Sequence, residues 1–196
     1  MTSFAVCFVL LFFSSHYAAG TADPDCAGDP TSTNFIKASC RATSYPALCV
    51  DCLSAFAEKI QQSDKQLAHA ALAVSLARAR SAAAFVSNMT KLSGLKPRER
   101  QAVRDCVETV GDSVEQIRRS MRELRRTSRS TDFLWRMSNV QTWVSAALTN
   151  QNTCIDGFTG TDGNIKAVIK RRVTRVIQVT SNALALVNRF ASRRLP

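Results

Sequence analysis

Apolar side chains recur every three or four positions along four long segments of the chain. The first segment carries them at Leu72, Leu76, Ala79, Ala83 and Val86, and the second at Val103, Cys106, Val110, Val114, Ile117, Met121 and Leu124. The third carries them at Phe133, Met137, Val140, Val144 and Ala147, and the fourth at Ile165, Ile169, Val173, Val176, Thr180, Ala183, Val187 and Phe190. Such stripes predict amphipathic helices that face a common core. Short loops between them favour an all-α, antiparallel, up-down-up-down four-helix bundle over residues 63–190.

Local signals indicate where these helices begin. Ser63 followed by Gln66 has the spacing of a capping box ahead of the first helix. Pro97 stands near the first turn of the second helix, where proline is favoured. Thr131 is the expected N-cap of the third helix, and the fourth is expected to begin near Asp162. Valine and isoleucine crowd the fourth segment and are typical of strands, but its length and period favour a helix.

A short helical hairpin is predicted ahead of the bundle, over residues 34–60. Tyr45-Pro46 interrupts this region, because proline disfavours helix at the residue before it. Apolar side chains lie on both sides of the break, at Phe35, Ile36, Leu48, Leu53, Phe56 and Ile60. Residues 21–33 contain two prolines and a glycine and are expected to form a flexible lead-in.

The N-terminus predicts export. Residues 4–13 are nearly all apolar but too short to span a bilayer, and the small residues Ala18-Ala19-Gly20 follow. This pattern is that of a signal peptide over residues 1–20, cleaved after Gly20, although its first positions lack Lys and Arg. A buried N-terminal helix is the alternative. No later stretch looks long and apolar enough to cross a membrane, so we expect a soluble, secreted product.

Composition agrees with a helical bundle. The chain of 196 residues is 45% hydrophobic and contains 7 glycines and 5 prolines. Removal of the signal peptide would leave about 175 residues, which corresponds to one domain. The net charge of +11 resides entirely in that mature part, because residues 1–20 contain no Lys, Arg, Asp or Glu. This is not the composition of a disordered or β-rich chain.

The cysteines of an exported chain predict disulfides. The chain has 7, and removal of the signal peptide takes Cys7 and leaves an even number, which favours bridges in an oxidising compartment. Six cysteines can pair in many ways, so the sequence alone does not assign the pairs. The spacing of Cys40 and Cys49 suits a local bridge. Cys106 and Cys154 would then join two helices, which leaves Cys26 and Cys52 to pair with each other or to stay free.

Little in the sequence indicates catalysis or a cofactor. The mature part has one histidine, His69, so neither a Ser-His-Asp set nor a zinc site is predicted. Cys49 and Cys52 have the spacing of a redox motif but lack its strand–helix context. No cofactor, metal or enzymatic activity is therefore expected. A lipid carrier or a structural wall protein is a further alternative, although the alanine-rich first helix suggests close packing.

Two groups of basic residues have more than one interpretation. They are Arg118, Arg119, Arg122, Arg125, Arg126 and Arg129 in the second helix, and Lys170, Arg171, Arg172 and Arg175 in the fourth. Nucleic acid is not an expected partner of an exported protein. The groups would attract an anionic polysaccharide or an acidic protein surface, or they would form solvated helix faces with pairs such as Glu115 and Arg119.

Several segments together resemble the plant invertase and pectin methylesterase inhibitor family. They are residues 138–149 (SNVQTWVSAALT), 153–158 (TCIDGF) and 184–188 (LALVN), combined with the cysteine pattern. The resemblance covers about residues 34–191, and we place the inhibitor domain at residues 34–192. It implies an N-terminal helical hairpin, a four-helix bundle and the bridges Cys40–Cys49 and Cys106–Cys154. It also implies a non-catalytic inhibitor of pectin methylesterase or of acid invertase in the cell wall or vacuole.

The resemblance favours pectin methylesterase as the target. Residues 130–135 lack the Pro-Lys-Phe element that many invertase inhibitors of the family carry between helices. In the pectin methylesterase group the second, third and fourth bundle helices cover the pectin cleft of the enzyme by a reversible, noncovalent contact. The resemblance places Thr153 near that contact. Helical geometry adds Gln141, Thr142 and Thr149 as solvent-facing positions. Inhibition of acid invertase is the alternative.

The sequence Asn88-Met89-Thr90 is an acceptor for N-glycosylation in a secreted chain. It lies near the predicted end of the first bundle helix. We therefore expect a secreted glycoprotein of the apoplast or cell wall, with no membrane partner.

Overall fold

Helices make up most of the chain that the structure, a computed structural model, describes: residues 30–127, 132–161 and 164–194. They are α1 (Pro30–Cys40), α2 (Pro46–Leu53), α3 (Ala57–Ile60), α4 (Asp64–Met89), α5 (Pro97–Arg126), α6 (Phe133–Asp156) and α7 (Asn164–Ser192), with a 3₁₀ turn at Ser54–Phe56. No strand occurs in these ranges. The predicted fold class, a four-helix bundle behind a short helical hairpin, is confirmed. The predicted signal peptide lies outside the described residues.

The four long helices α4 to α7 form the bundle. The helix pairs in extensive contact are α4 with α5, α5 with α6, α6 with α7, and α7 with α4. Helices α4 and α6 therefore lie diagonally across the bundle. The core between them consists mainly of aliphatic side chains at the predicted stripe positions, including Leu72, Val86, Val103, Val110, Ile117, Leu124, Val140, Val144, Ile169, Val173 and Val187.

Two of the predicted helix starts are confirmed and two fall beside the predicted residue. Ser63 is the N-cap of α4, and its Oγ accepts a hydrogen bond from the backbone N–H of Gln66 at 3.4 Å. Pro97 begins α5. Helix α6 has Asp132 as its N-cap rather than Thr131, and α7 begins at Asn164, two residues after Asp162 and thus near the predicted start. Thr131 and Asp162 themselves lie outside the described residues.

The N-terminal hairpin begins earlier than predicted. Helix α1 starts at Pro30, inside the stretch predicted as a flexible lead-in, because proline with its fixed φ suits the first turn of a helix. A disulfide joins Cys40 at the end of α1 to Cys49 in α2. The turn between them is held on α7: the amide of Asn182 accepts from the backbone N–H of Tyr45 at 3.0 Å and donates to its carbonyl at 2.9 Å. The hairpin thus depends on the bundle for support.

A second disulfide joins Cys106 of α5 to Cys154 near the end of α6. The two Cα atoms are 4.2 Å apart, and both residues are buried. The bridge therefore fixes the end of α6 against α5. Cys52 carries a free thiol and is half-buried. Its suggested partner, Cys26, lies outside the described residues.

A polar layer crosses the otherwise apolar core and takes one side chain from each bundle helix. Gln151 Nε2 of α6 donates to Ser113 Oγ of α5 at 2.7 Å and to Thr180 Oγ1 of α7 at 3.2 Å. Thr180 uses its single hydroxyl hydrogen toward the carbonyl of Val176, so Ser75 Oγ of α4, 2.7 Å away, must donate to it. These side chains are fully buried. A shared polar layer of this kind favours one alignment of the four helices over others.

Replacing Gln151 with leucine should lower the free energy of unfolding by about 1–3 kcal/mol, because the buried hydroxyl groups of Ser113 and Thr180 lose a donor while side-chain volume is nearly kept. Urea denaturation followed by circular dichroism measures the change. Asn152→Ala, at the exposed next position, is the control and should change stability by no more than about 0.5 kcal/mol. Leucine also removes Gln151 Oε1, which is buried and has no hydrogen-bond partner among the described residues, so equal stability would show that the two hydrogen bonds of Gln151 contribute no more than this unpaired oxygen costs.

Helix α4 corrects one expectation from the sequence. By length and composition it could cross a membrane, with a mean hydropathy of 1.2 over its most apolar 18-residue window. The value reflects the many alanines of the helix, which are small enough to allow close packing. In the structure one face of α4 packs against α5 and α7 and buries Leu67, Leu72, Ala79 and Val86. A helix packed in the core of a bundle can have the same length and composition as a membrane span, so these two properties of α4 are weak evidence for one.

Candidate functional site

One face of α6 forms a continuous exposed stripe of mostly small polar side chains. Its positions follow each other at intervals of three or four residues, so they lie along one side of the helix. We call this the α6 stripe: Trp135, Ser138, Thr142, Ser145, Thr149 and Thr153, all exposed. The 24 residues of α6 make the helix about 36 Å long at 1.5 Å per residue. The stripe therefore offers an extended, nearly uncharged surface for another macromolecule.

Three of the four residues predicted for a target contact lie on the α6 stripe. Thr142, Thr149 and Thr153 are exposed, and the hydroxyl of Thr153 donates to the carbonyl of Thr149 at 3.0 Å. Gln141 does not belong to this surface. It is half-buried, and its Nε2 donates to Asn188 Oδ1 of α7 at 3.0 Å. One helical position rotates a side chain by 100°, so Gln141 faces the junction with α7 rather than open solvent.

Trp135 is the part of this surface that the sequence interpretation missed. It is 64% exposed, and its neighbour Leu134 is 60% exposed, which is unusual for large apolar side chains. The guanidinium of Arg136 lies 5.9 Å from the Trp135 ring and also pairs with Glu123 Oε1 of α5 at 2.8 Å. Extending the spacing of the threonines back by one heptad from Thr142 would have found it. Trp143, by contrast, is half-buried against α5.

The C-terminal end of the α6 stripe lies over the disulfide. Cys154 follows Thr153 directly and is bonded to Cys106 of α5. Gln151 of the polar layer lies three positions before Cys154 and is fully buried. Covalent and hydrogen-bonded ties on the inner face of α6 thus hold its outer face in place, which reduces the ordering cost of binding a partner.

The basic face predicted on α5 is largely paired with carboxylates. Glu115 contacts Arg118, Arg119 at 3.2 Å and Arg122 at 3.4 Å. The hydrogen bond from Arg118, followed by that from Arg119, lowers the pKa of Glu115 below its usual range. Arg126 lies 4.0 Å from Glu123. These contacts match the interpretation as a solvated, ion-paired helix face. Arg129 lies outside the described residues.

His69 lies in the first half of α4, half-buried between cationic groups. Burial, followed by the charges of Arg125 and Lys65, lowers the pKa of His69 below its ordinary value. Its Nε2 is buried and has no hydrogen-bond partner among the described residues. Burial, and then the charge of Arg194, also lowers the pKa of Lys65. The histidine is therefore neutral in the folded protein at pH values where a free histidine is already protonated.

We expect His69 to make the fold less stable in acid. The unfolded chain takes up a proton at His69 as the pH falls through about 6.5, while the folded chain resists it, so the free energy of unfolding decreases as the pH falls through that range. In a His69→Leu variant the free energy of unfolding should fall less between neutral and acidic pH than it does in the wild type. Thermal melting at about pH 7.5 and about pH 5 measures it. An identical pH dependence in the variant and the wild type would contradict the assignment.

The described residues contain no arrangement typical of an active site. No three His, Cys, Asp or Glu side chains among them are grouped to hold a metal ion. Cys49, the first cysteine of the redox-like spacing, is bonded to Cys40 rather than to Cys52. The prominent features of the molecule are surfaces, namely the α6 stripe and a groove between α4 and α7.

Comparison with known proteins identifies the class to which this fold and surface belong. Pectinesterase inhibitor 9 of Arabidopsis thaliana is 51% identical over 170 residues, which cover 83% of each chain. Pectinesterase inhibitor 11 of the same plant is 41% identical over 196 residues, which cover 97% of each chain. The crystal structure of a mutant form of a pectin methylesterase inhibitor from Arabidopsis has the same fold, with a TM-score of 0.61 at 20% identity over 76% of this chain and 92% of that chain.

These relatives are all named as inhibitors of pectinesterase or pectin methylesterase. The family model described as plant invertase/pectin methylesterase inhibitor matches residues 34–186. The chain belongs to this family, and the resemblance stated from the sequence motifs is confirmed.

Proposed function

We propose that the protein is a secreted, non-catalytic inhibitor of plant pectin methylesterase. The observation that carries the proposal is the 51% identity with pectinesterase inhibitor 9 over 83% of both chains. The exposed, rigidly supported α6 stripe gives such an inhibitor a surface with which to act. Membership of the family alone would allow acid invertase as the target, but the relatives compared above are named for pectinesterase.

The proposed mechanism is steric. The α6 stripe docks over the pectin-binding cleft of the enzyme and excludes the polysaccharide, with Thr149 and Thr153 in the C-terminal half of the contact. Small side chains allow the helix backbone to approach the partner closely. Trp135 at the N-terminal end of α6 supplies the large apolar contact that interfaces commonly use as an anchor. No covalent step is involved, so the complex is reversible.

The proposed location is the apoplast or cell wall. A signal peptide at residues 1–20 and two disulfides both suit an exported protein. Asn88 is exposed near the end of α4, where an oligosaccharide would not disturb the core. Asn88 also lies on the helix diagonal to α6, so a glycan there would not cover the α6 stripe. Treatment with a glycosidase followed by mass spectrometry tests its occupancy.

The purified, oxidised mature protein should be titrated separately against a plant pectin methylesterase and an acid invertase at acidic pH. Methanol release and sucrose hydrolysis are the two measurements. Loss of methanol release alone supports the proposal. Loss of sucrose hydrolysis alone would assign the protein to the invertase inhibitors and show that the missing Pro-Lys-Phe element is a poor guide. No effect on several isoforms of either enzyme would contradict an inhibitory function.

A further inference from the structure

A strongly basic groove runs between α4 and α7. It encloses about 780 Å³. We call it the basic groove and define it by its cationic residues: Arg78, Lys170, Arg171, Arg172 and Arg175. Phe85 and Val168 contribute apolar surface, and Val168 is 39% exposed. None of the residues described along the groove is acidic. The groove is therefore a concave surface with one sign of charge.

The charges of the basic groove are unpaired, unlike those of the α5 face. On α5 a single carboxylate, Glu115, contacts three arginines. Within the described part of the chain, no carboxylate forms a salt bridge with any of the five groove cations. Unpaired like charges in a concave surface raise the local positive potential and attract anions.

One guanidinium of the groove is already held in place. Arg172 donates to Ser81 Oγ at 2.8 Å, and its guanidinium carbon lies 5.3 Å from the centre of the Phe85 ring. These contacts tie α7 to α4 and restrict the rotamers of Arg172. They use only part of its five N–H donors, so the others can still bind a carboxylate. Arg171 and Arg175 are four positions apart, which places them about one helical turn from each other on α7.

We infer that the basic groove binds de-esterified pectin, the polyanionic product of the enzyme that the protein is proposed to inhibit. Hydrolysis of a methyl ester consumes water, releases methanol and leaves a carboxylate and a proton, so each turnover adds a negative charge to the polysaccharide. A row of guanidinium groups pairs with carboxylates and gains nothing from the neutral ester. The identity of the polyanion rests on the proposed function; the anion site itself rests on the groove.

The basic groove and the α6 stripe lie on different parts of the bundle. The groove is formed by α4, which is diagonal to α6, and by α7, which packs against α6 and carries four of the five groove cations. One molecule can bind the polysaccharide and the enzyme at the same time where the enzyme contact stays on the α6 side of α7. Binding to the product would hold the inhibitor in wall regions where the enzyme has already acted. An acidic protein segment is the competing partner, but a linear polysaccharide can follow a groove between two helices along its length.

The test is direct binding of the full mature, oxidised protein, without enzyme, to immobilised polygalacturonate and to highly methyl-esterified pectin of similar length. The groove variant is R171Q/R172Q/R175Q. The control R118Q/R119Q/R122Q removes the same number of charges from the paired α5 face. We expect the wild type to prefer polygalacturonate, the groove variant to lose about tenfold or more in affinity, and the control to change about twofold at most. The salt dependence should also become weaker in the groove variant only.

Three outcomes would overturn the inference. Equal losses in the groove variant and the control would indicate unspecific attraction by net charge. Equal binding of esterified and de-esterified pectin would exclude carboxylate recognition. Polyglutamate binding as tightly as polygalacturonate would indicate a site for acidic protein segments. Melting temperatures of both variants near that of the wild type establish that they are folded.

The inhibition assay separates this inference from the proposed function. If the protein binds polygalacturonate through the groove but inhibits no pectin methylesterase, the inference stands and the proposed function fails. If it inhibits the enzyme but does not bind polygalacturonate, the proposed function stands and the inference fails. Loss of inhibition in the groove variant, measured on a soluble substrate at high salt, would show that the groove belongs to the enzyme contact and would overturn the assignment of a separate site.

Discussion

Replacing Cys106 and Cys154 together with alanine should lower the free energy of unfolding by about 4 kcal/mol and weaken inhibition at the same time. The two cysteines are separated by 48 positions, so their bridge removes a large amount of chain entropy from the unfolded state. Double replacement leaves neither partner of this bridge behind as an unpaired thiol. Urea denaturation under oxidising conditions gives the stability, and titration of methanol release gives the inhibition.

The loss of inhibition follows from the position of the bridge. Cys154 adjoins Thr153, and without the disulfide the last turns of α6 are held to α5 only by noncovalent contacts. A more mobile α6 stripe must be ordered on binding, which costs affinity. Inhibition should therefore fall even at temperatures where the variant remains fully folded by circular dichroism.

The variant C40A/C49A is the matched control. Its bridge spans only 9 positions and lies in the hairpin, away from α6, so its removal should cost about 2.5 kcal/mol and leave inhibition of the folded protein nearly unchanged. A larger loss of inhibition in C40A/C49A than in C106A/C154A would contradict the view that the bridge acts by positioning α6.

The bundle was predictable from the sequence because its signals are local and repeated. Each apolar stripe extends over five or more helical positions, so a single polar residue at one of these positions does not hide the pattern. Ser63 and Pro97 act through the backbone of the adjacent turn, so their roles depend only on near neighbours. The beginning of α1 was misplaced because a proline such as Pro30 is as typical of a loop as of a first helical turn, and its local sequence does not distinguish the two.

The features that escaped prediction depend on contacts between distant segments. Gln151 and Thr180 join a polar layer only because four helices bring their side chains to one level of the core. Helical geometry alone predicted that Gln141 faces solvent, but in the folded chain it donates a hydrogen bond to Asn188 of α7. Both cases require the register between helices, which single-helix periodicity does not contain. The paired face of α5 is different, because Glu115 lies on the same helix as its arginines and the pair with Arg119 was among the alternatives read from the sequence.

Replacing Thr149 and Thr153 together with arginine should weaken inhibition of pectin methylesterase by about 100-fold or more, because two long, charged side chains would stand within a closely packed contact and would lose their hydration there. Both positions are exposed and point away from the core. The melting temperature should therefore stay within about 2 °C of the wild type. The inhibition constant from methanol release, measured at several inhibitor concentrations, gives the effect.

The control variant A77R/A84R adds the same two charges to exposed positions of α4, the helix diagonal to α6. It should keep full inhibition, because an enzyme bound to the α6 stripe does not reach that face. Comparing the two variants separates blocking of the contact from the general effect of a higher net charge, which would act on both through long-range electrostatics. If A77R/A84R lost inhibition while T149R/T153R kept it, the contact would lie on α4 and the steric role of α6 would be wrong. If both variants lost inhibition equally, net charge would be the cause. The variant T149S/T153S adds no charge or bulk, and it should then inhibit as well as the wild type does.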